Sequence, residues 1–143
     1  MSYQVLLNIQ TLSCGLMTGL IWIVQLVHYP SFAFVEPKRF KRFELFHATR
    51  ISLIVMPLMT LELFSACFLL FSEPSMPDPL IVSNAALALI WLSTLCLSIP
   101  AHYKLSKGWN EKTISWLVKT NWPRTILWSA RLIILSQLCF SWQ

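Results

Sequence analysis

Residues 80–101 read LIVSNAALALIWLSTLCLSIPA, a run without a single Asp, Glu, Lys or Arg. A helix needs roughly 20 apolar residues to cross the hydrocarbon core of a bilayer. A helix on a water-soluble bundle of similar length would carry a charged stripe, and this one has none. Three further runs flank it. Val5 to Val27 is also uncharged, Ile51 to Phe71 contains only Glu62, and Thr125 to Trp142, the least apolar, carries Arg131. None alternates with a two-residue period, and only helices or closed barrels satisfy their backbone groups in lipid, so all four are expected to be helices. The expected fold is all-α: a four-transmembrane-helix bundle forming one integral membrane domain over 1–143. Its crossings fall at about 5–27, 51–71, 80–101 and 125–142, with a short interfacial helix (Glu111 to Asn121) before the fourth.

Composition agrees. The 143 residues are 56% hydrophobic and 12% charged, about half the charged share of a soluble domain. Three glycines and a mean hydropathy of +0.61 exclude a disordered or collagen-like chain. The first ten residues lack the basic n-region of a cleavable secretory signal, so the first run is expected to stay as a permanent membrane helix.

Charge placement sets an orientation. Lys38, Arg39, Lys41, Arg42 and Arg50 lie between the first and second runs, and Lys104, Lys107, Lys112, Lys119 and Arg124 between the third and fourth. The connection from Ser72 to Pro79 has Glu73 and Asp78 but no base. The positive-inside rule then places both basic loops in the cytoplasm and both termini outside, in a multi-pass protein of the inner (plasma) membrane. The net charge of +5 is thus an orientation signal, with anionic lipid headgroups as its secondary partner and nucleic acid excluded.

Prolines punctuate the chain. Tyr29-Pro30 is expected to close the first helix and Pro37 to open the second, which extends to about Phe71 and spans roughly 50 Å. Pro57 predicts a kink within it. Pro74, Pro77 and Pro79 stiffen the outer connection. Pro100 bends or ends the third helix, and Pro123 restarts the chain into the fourth.

At three- and four-residue steps each run carries one polar stripe. The first has Thr11, Cys14, Thr18, Ile21, Gln25 and His28; the second Glu44, His47, Glu62 and Ser65. The third has Asn84, Ala88, Trp91, Thr94, Ser98 and His102; the fourth Asn121, Arg124, Trp128 and Arg131. Four such stripes predict a bundle with its polar faces turned inward. Glu62 and Arg131 would each cost about 2.5–3.5 kcal/mol if left alone at a helix centre. They read either as an ion pair fixing helix register or as catalytic groups, with Glu62 exchanging a proton.

All three histidines fall at one end of the expected bundle. Glu44-x-x-His47 places a carboxylate and an imidazole one turn apart, a spacing used in di-iron bundles, and Gln25-x-x-His28 repeats the spacing and is expected to orient that ring. His28, Glu44, His47 and His102 are therefore candidate ligands of a transition metal such as iron or copper, and His28, His47 and His102 candidate ligands of a haem. The plain alternative is that they are interfacial or helix-linking side chains. Arg124 and Arg131, seven apart with Trp128 between them, can clamp an anionic group against an indole wall. Otherwise Arg124 snorkels to headgroups and Trp122 joins the aromatic belt. The cysteines (Cys14, Cys67, Cys96, Cys139) show no metal or redox spacing and read as small buried apolar residues.

The set Trp22, Gln25, His28-Tyr29-Pro30, His47, Arg50, Pro57, Glu62, His102 and Asn121-Trp122-x-Arg124-Thr125 resembles a group of small uncharacterised bacterial four-helix integral membrane proteins. The length, the four crossings and the arginine-bearing last helix are similar to anthrone-oxygenase-like small membrane proteins, which implies an oxidative reaction on an apolar substrate. The leading expectation is a metal- or haem-dependent oxidoreductase acting on a lipophilic small molecule at the cytoplasmic end. The rivals are a non-enzymatic assembly factor or small subunit of a larger membrane complex, and a small proton-coupled transporter built as a homo-oligomer.

Overall fold

The computed structural model describes residues 2–72 and 77–141, and among them it is all-helical. Four helices follow in order: α1 (Tyr3–Phe34), α2 (Pro37–Ser72), α3 (Asp78–Leu105) and α4 (Glu111–Ser141). The first three are long and apolar enough to cross a membrane. Residues 73–76 of the expected stiff outer connection, and Trp142 at the expected end of the fourth crossing, lie outside the described residues.

The starts are chemically marked. The Ser2 hydroxyl accepts from the Val5 backbone N–H, and Asn110 Oδ1 accepts from the Thr113 N–H at 2.9 Å. Both meet donors that the first turn of a helix leaves unpaired. Between α3 and α4 the chain turns at Gly108, whose φ of +152° disfavours a side chain.

Tyr29-Pro30 does not end the first helix, contrary to expectation, and Pro100 does not end the third, which leaves the bend of the two outcomes expected there. Each is preceded by one wide turn with i→i+5 bonding, Val24–His28 in α1 and Thr94–Ser98 in α3. The wide turn makes room for the pyrrolidine ring and the missing N–H, so the helix runs on. The extra residue rotates everything beyond it by roughly 100°. On α3 the buried face is consequently Leu80, Ser83, Leu87 and Ile90 before the wide turn, with Ala88 exposed, and Ser98, Ala101 and Leu105 at or beyond it. Of the expected stripe Ser98 is buried, Asn84, Trp91, Thr94 and His102 are half-buried, and only Ala88 is exposed. The expected interfacial helix is also not separate: Glu111 to Asn121 runs unbroken into α4, with Pro123 inside it.

α1 packs along α2 and α4, and α3 packs along α4, whereas α2 meets α3 mainly through its Ile99–Leu105 turns. Thr18 Oγ1 donates to the Trp128 carbonyl at 3.2 Å across α1 and α4. The core holds Leu6, Leu7, Met17, Met59, Leu69, Ile90 and Leu135, and the outer surface is also apolar, with Leu12, Leu53, Phe64, Leu89 and Leu92 exposed. A chain apolar both inside and out suits lipid rather than water as its surroundings.

Leu89 sits mid-way along α3 and is 54% exposed. Leu89→Arg should raise the free energy of inserting α3 by about 2.5–3.5 kcal/mol. A glycosylation-mapping insertion assay should show the inserted fraction of that segment falling, and an unchanged fraction would place Leu89 away from lipid.

Candidate functional site

Two polar assemblies sit inside the bundle. The deeper one is built on Glu62, which is fully buried on α2. Its Oε2 accepts from Arg131 Nη1 at 2.8 Å and from the Trp128 indole Nε1 at 3.2 Å, both on α4. Arg131 Nε donates to the Ser83 carbonyl of α3 at 3.0 Å. Glu62 and Arg131 therefore meet as an ion pair with both side chains wholly shielded, and together they tie three helices.

The second assembly lies at the end bearing the basic loops. Beyond its wide turn α1 presents Tyr29 inward, only 6% exposed. The Tyr29 hydroxyl lies 3.1 Å from His102 Nε2, and His102 Nδ1 lies 2.6 Å from Glu44 Oε1. An ionised carboxylate can only accept, so with Glu44 in that form the His102 Nδ1–H is the donor to it, and in the neutral ring Nε2 is then the acceptor for the tyrosine proton. Glu44, His102 and Tyr29, from three different helices, thus form a carboxylate–imidazole–phenol relay.

Beside it stands Arg124, 5% exposed. Its Nη1 donates to Thr94 Oγ1 at 3.3 Å and its Nη2 to Asn121 Oδ1, and it also contacts the Tyr29 hydroxyl. Asn121 Nδ2 in turn donates to Gln25 Oε1 at 2.8 Å, and Gln25 Nε2 to the Val118 carbonyl. Among the described residues Arg124 makes no ion pair, and the carboxylate of this assembly, Glu44, is turned to His102. Its Nε has no hydrogen-bond partner.

Tyr29 and His102 of the relay, together with Arg124, border a cavity of about 230 Å³ at the seam between α2 and α3. Its walls are Met17, Ile21, Val55, Met59 and other apolar side chains, with Trp128 among them. Ser52, Met56 and Ile99 also line it and are exposed on the outer surface, so the cavity opens sideways between helices. No family model, curated protein or solved structure matches this chain. The site must therefore be read from its own chemistry.

The expected histidine cluster does gather at one end, with a different geometry from that of a shared ion. His28 Nε2 lies 2.6 Å from His47 Nδ1, their rings 4.3 Å apart, and the His47 and His102 rings are 5.6 Å apart. These nitrogens face one another, Glu44 or Tyr29. Among the described residues no group of three or more His, Cys, Asp or Glu is arranged to hold a metal. Gln25 does not orient His28 as its i+3 spacing suggests; the wide turn between them carries it to Asn121 and Val118 instead. Nor do Arg124 and Arg131 form one clamp, because Arg131 is engaged by Glu62 and does not border the cavity. Trp128 takes the expected wall position, and Trp22 and Trp122 stack edge-on at 5.9 Å. All four cysteines are free.

Sequence reasoning passed over Tyr29, whereas Thr94 stands on the expected polar stripe of the third run. Tyr29 reads as a helix terminator because Pro30 follows it, and only the wide turn makes it an interior residue. The signal that could have found it is the recurrence of a polar side chain near an X-Pro pair in both α1 and α3, at Tyr29-Pro30 and Pro100-x-His102.

Removing one partner of a buried pair leaves an uncompensated charge and costs about 3–5 kcal/mol. Glu62→Leu or Arg131→Leu alone should lower thermal stability in detergent sharply, and the double variant should regain most of the loss. Single variants as stable as the native protein would show that the pair does not hold the helices together.

Proposed function

We propose that the protein is a four-crossing inner-membrane protein with both termini outside, whose cavity binds a lipophilic molecule carrying an acidic oxygen and whose Tyr29–His102–Glu44 relay takes the proton from it. For the fourth crossing the support is length and shielding. At 1.5 Å per residue the 31 residues of α4 extend about 46 Å. Of its five charged side chains, Glu111, Lys112 and Lys119 are exposed in its first three turns, and Arg124 and Arg131, further along, are buried against other helices rather than turned to lipid. For the orientation it is the ten basic residues that fall between the first and second and between the third and fourth apolar runs.

One observation carries the chemistry: a buried guanidinium without a carboxylate partner borders an apolar cavity. An unpaired buried charge costs several kcal/mol, and such charges are normally paired. A ligand oxyanion is the partner this geometry accommodates. The apolar walls take a ring or chain, and the sideways opening lets a tail remain in lipid. Arg124 then holds the anionic oxygen while Tyr29 donates to it or accepts from it. His102 Nε2 serves as the base, and Glu44, bonded to Nδ1, fixes its tautomer and orients the ring, as the third member of an acid–base triad does. Deprotonating a ring hydroxyl is the step that this chain's own side chains supply to an oxidation of a phenol- or quinol-like substrate. The facing imidazoles and the engaged nitrogens of His102 favour this proton-transfer role over a metal or haem held between the histidines.

The test uses a 4-nitrophenol bearing an alkyl tail, whose phenolate absorbs visible light, titrated into the full chain in lipid nanodiscs. Native protein should bind it as the phenolate. Arg124→Gln should weaken binding about 10- to 100-fold, as expected for a lost charge-assisted hydrogen bond. Tyr29→Phe should lower affinity by a smaller factor. Binding that is the same in native and Arg124→Gln protein would overturn this reading.

A further inference from the structure

A base enclosed by apolar side chains needs a route by which the proton it takes can leave. Glu44 is fully buried, so a proton received through His102 does not pass from it directly to water. Its Oε1 faces His102, and its Oε2 is buried with no hydrogen-bond partner. One turn along the same face of α2, His47 is 5% exposed, and its Nε2 is likewise buried and unpartnered. Buried polar atoms without partners are rare and call for an explanation. Here two lie on side chains that an i,i+3 spacing makes neighbours.

The other nitrogen of His47 continues the line outward. Its Nδ1 lies 2.6 Å from His28 Nε2. His28 and His47 border a second hollow of about 200 Å³ with Phe43, Phe46 and Arg50. His28 is only half-buried, and Arg50 is exposed. The two hollows share Ile51 alone among their lining residues, so Tyr29 and His102 face one and His28 and His47 the other.

We propose that Glu44, His47 and His28 form a proton-conducting path that joins the ligand cavity to the outer hollow on the basic side of the bundle. The proposal rests on the reading of the cavity as a proton-transfer site. The proton moves by relay. The bound hydroxyl gives its proton to His102 Nε2 through Tyr29 as the Nδ1 proton of His102 passes to Glu44. The Glu44 carboxyl then turns about its Cγ–Cδ bond, so that the proton taken on the oxygen facing His102 is carried to the other side and passes to His47 Nε2, directly or through one water. The Nδ1 proton of His47 passes to His28 Nε2, and His28 releases one from its Nδ1. One proton enters at the cavity and one leaves at the hollow, with no change in oxidation state, and ring tautomerisation resets the imidazoles. The titratable or charged groups facing the path are Tyr29 on α1, Arg50 on α2, His102 on α3 and Arg124 on α4. Both cations stand at its ends, where they do not place a fixed positive charge between the imidazoles.

The experiment is a stopped-flow pH jump on the full chain in nanodiscs loaded with the tailed 4-nitrophenol, following the absorbance of the bound phenolate. His47→Phe and the milder His28→Ala should slow its relaxation by at least about tenfold. Equilibrium affinity should be unchanged, and added imidazole should restore the rate in His28→Ala. Unslowed relaxation in both variants, with binding intact, would overturn the path and leave the cavity reading standing. Failure of the dye to bind in an Arg124-dependent way would instead overturn the cavity reading and the path with it. A measurement independent of the dye is the 15N spectrum of ring-labelled histidines. A coupling across the His28–His47 hydrogen bond, absent in His28→Ala, is expected; two uncoupled, freely exchanging rings in native protein would overturn the path.

Discussion

The Glu62–Arg131 contact is the point at which this bundle is tied. One carboxylate oxygen on α2 receives the guanidinium and the indole of α4, while the same guanidinium reaches a carbonyl of α3. In lipid there is no general hydrophobic force pressing helices together, so packing and interhelical polar contacts must hold them. Two opposite charges that each oppose insertion become acceptable only when they meet. α2, α3 and α4 are thereby held at one level, and α1 fills the remaining side through Thr18 and the backbone carbonyl of Trp128. Trp128 belongs to both assemblies, with its N–H on Glu62 and its ring on the cavity.

Above that tie the bundle is looser. α2 and α3 contact each other mainly at the Ile99–Leu105 turns, and the seam between them holds the cavity. The two wide turns act at this level. A proline in a helix removes a donor and needs room, and both chains of consequence follow from supplying that room with an extra residue. The face of α1 shifts so that Tyr29 turns inward, and on α3 the wide turn lies between Thr94 and His102, which with Ser98 border the cavity. Backbone irregularity and chemistry coincide here because the same rotation produces both.

Arg124 and Arg131 show how far residue spacing reaches. They stand seven apart on one helix face, and spacing alone makes them equivalent members of a clamp. Their surroundings separate them. Arg131 lies opposite Glu62 and is neutralised, whereas Arg124 finds only the neutral oxygens of Thr94, Asn121 and Tyr29. The histidines teach a similar lesson. That His28, His47 and His102 gather at one end follows from their positions at helix ends. Which nitrogen faces which depends on ring orientations that no spacing encodes.

The sequence by itself determined the solvent, the helices and the sidedness of the charges. Uninterrupted apolar runs such as residues 80–101 have one stable form in lipid, and the ten basic residues fall only where a chain with such runs turns back. It also determined that Glu62 and Arg131 need partners, since isolated charges in apolar helices are too costly to leave unmet. Only the tertiary structure decided that prolines 30 and 100 are carried through by wide turns, that Tyr29 is an interior residue, and that Arg124 is the cation left unpaired. Those outcomes depend on the rotation of one helix against another. A local pattern fixes which residues share a face only while the helical period is constant, and here a wide turn changes it in both α1 and α3.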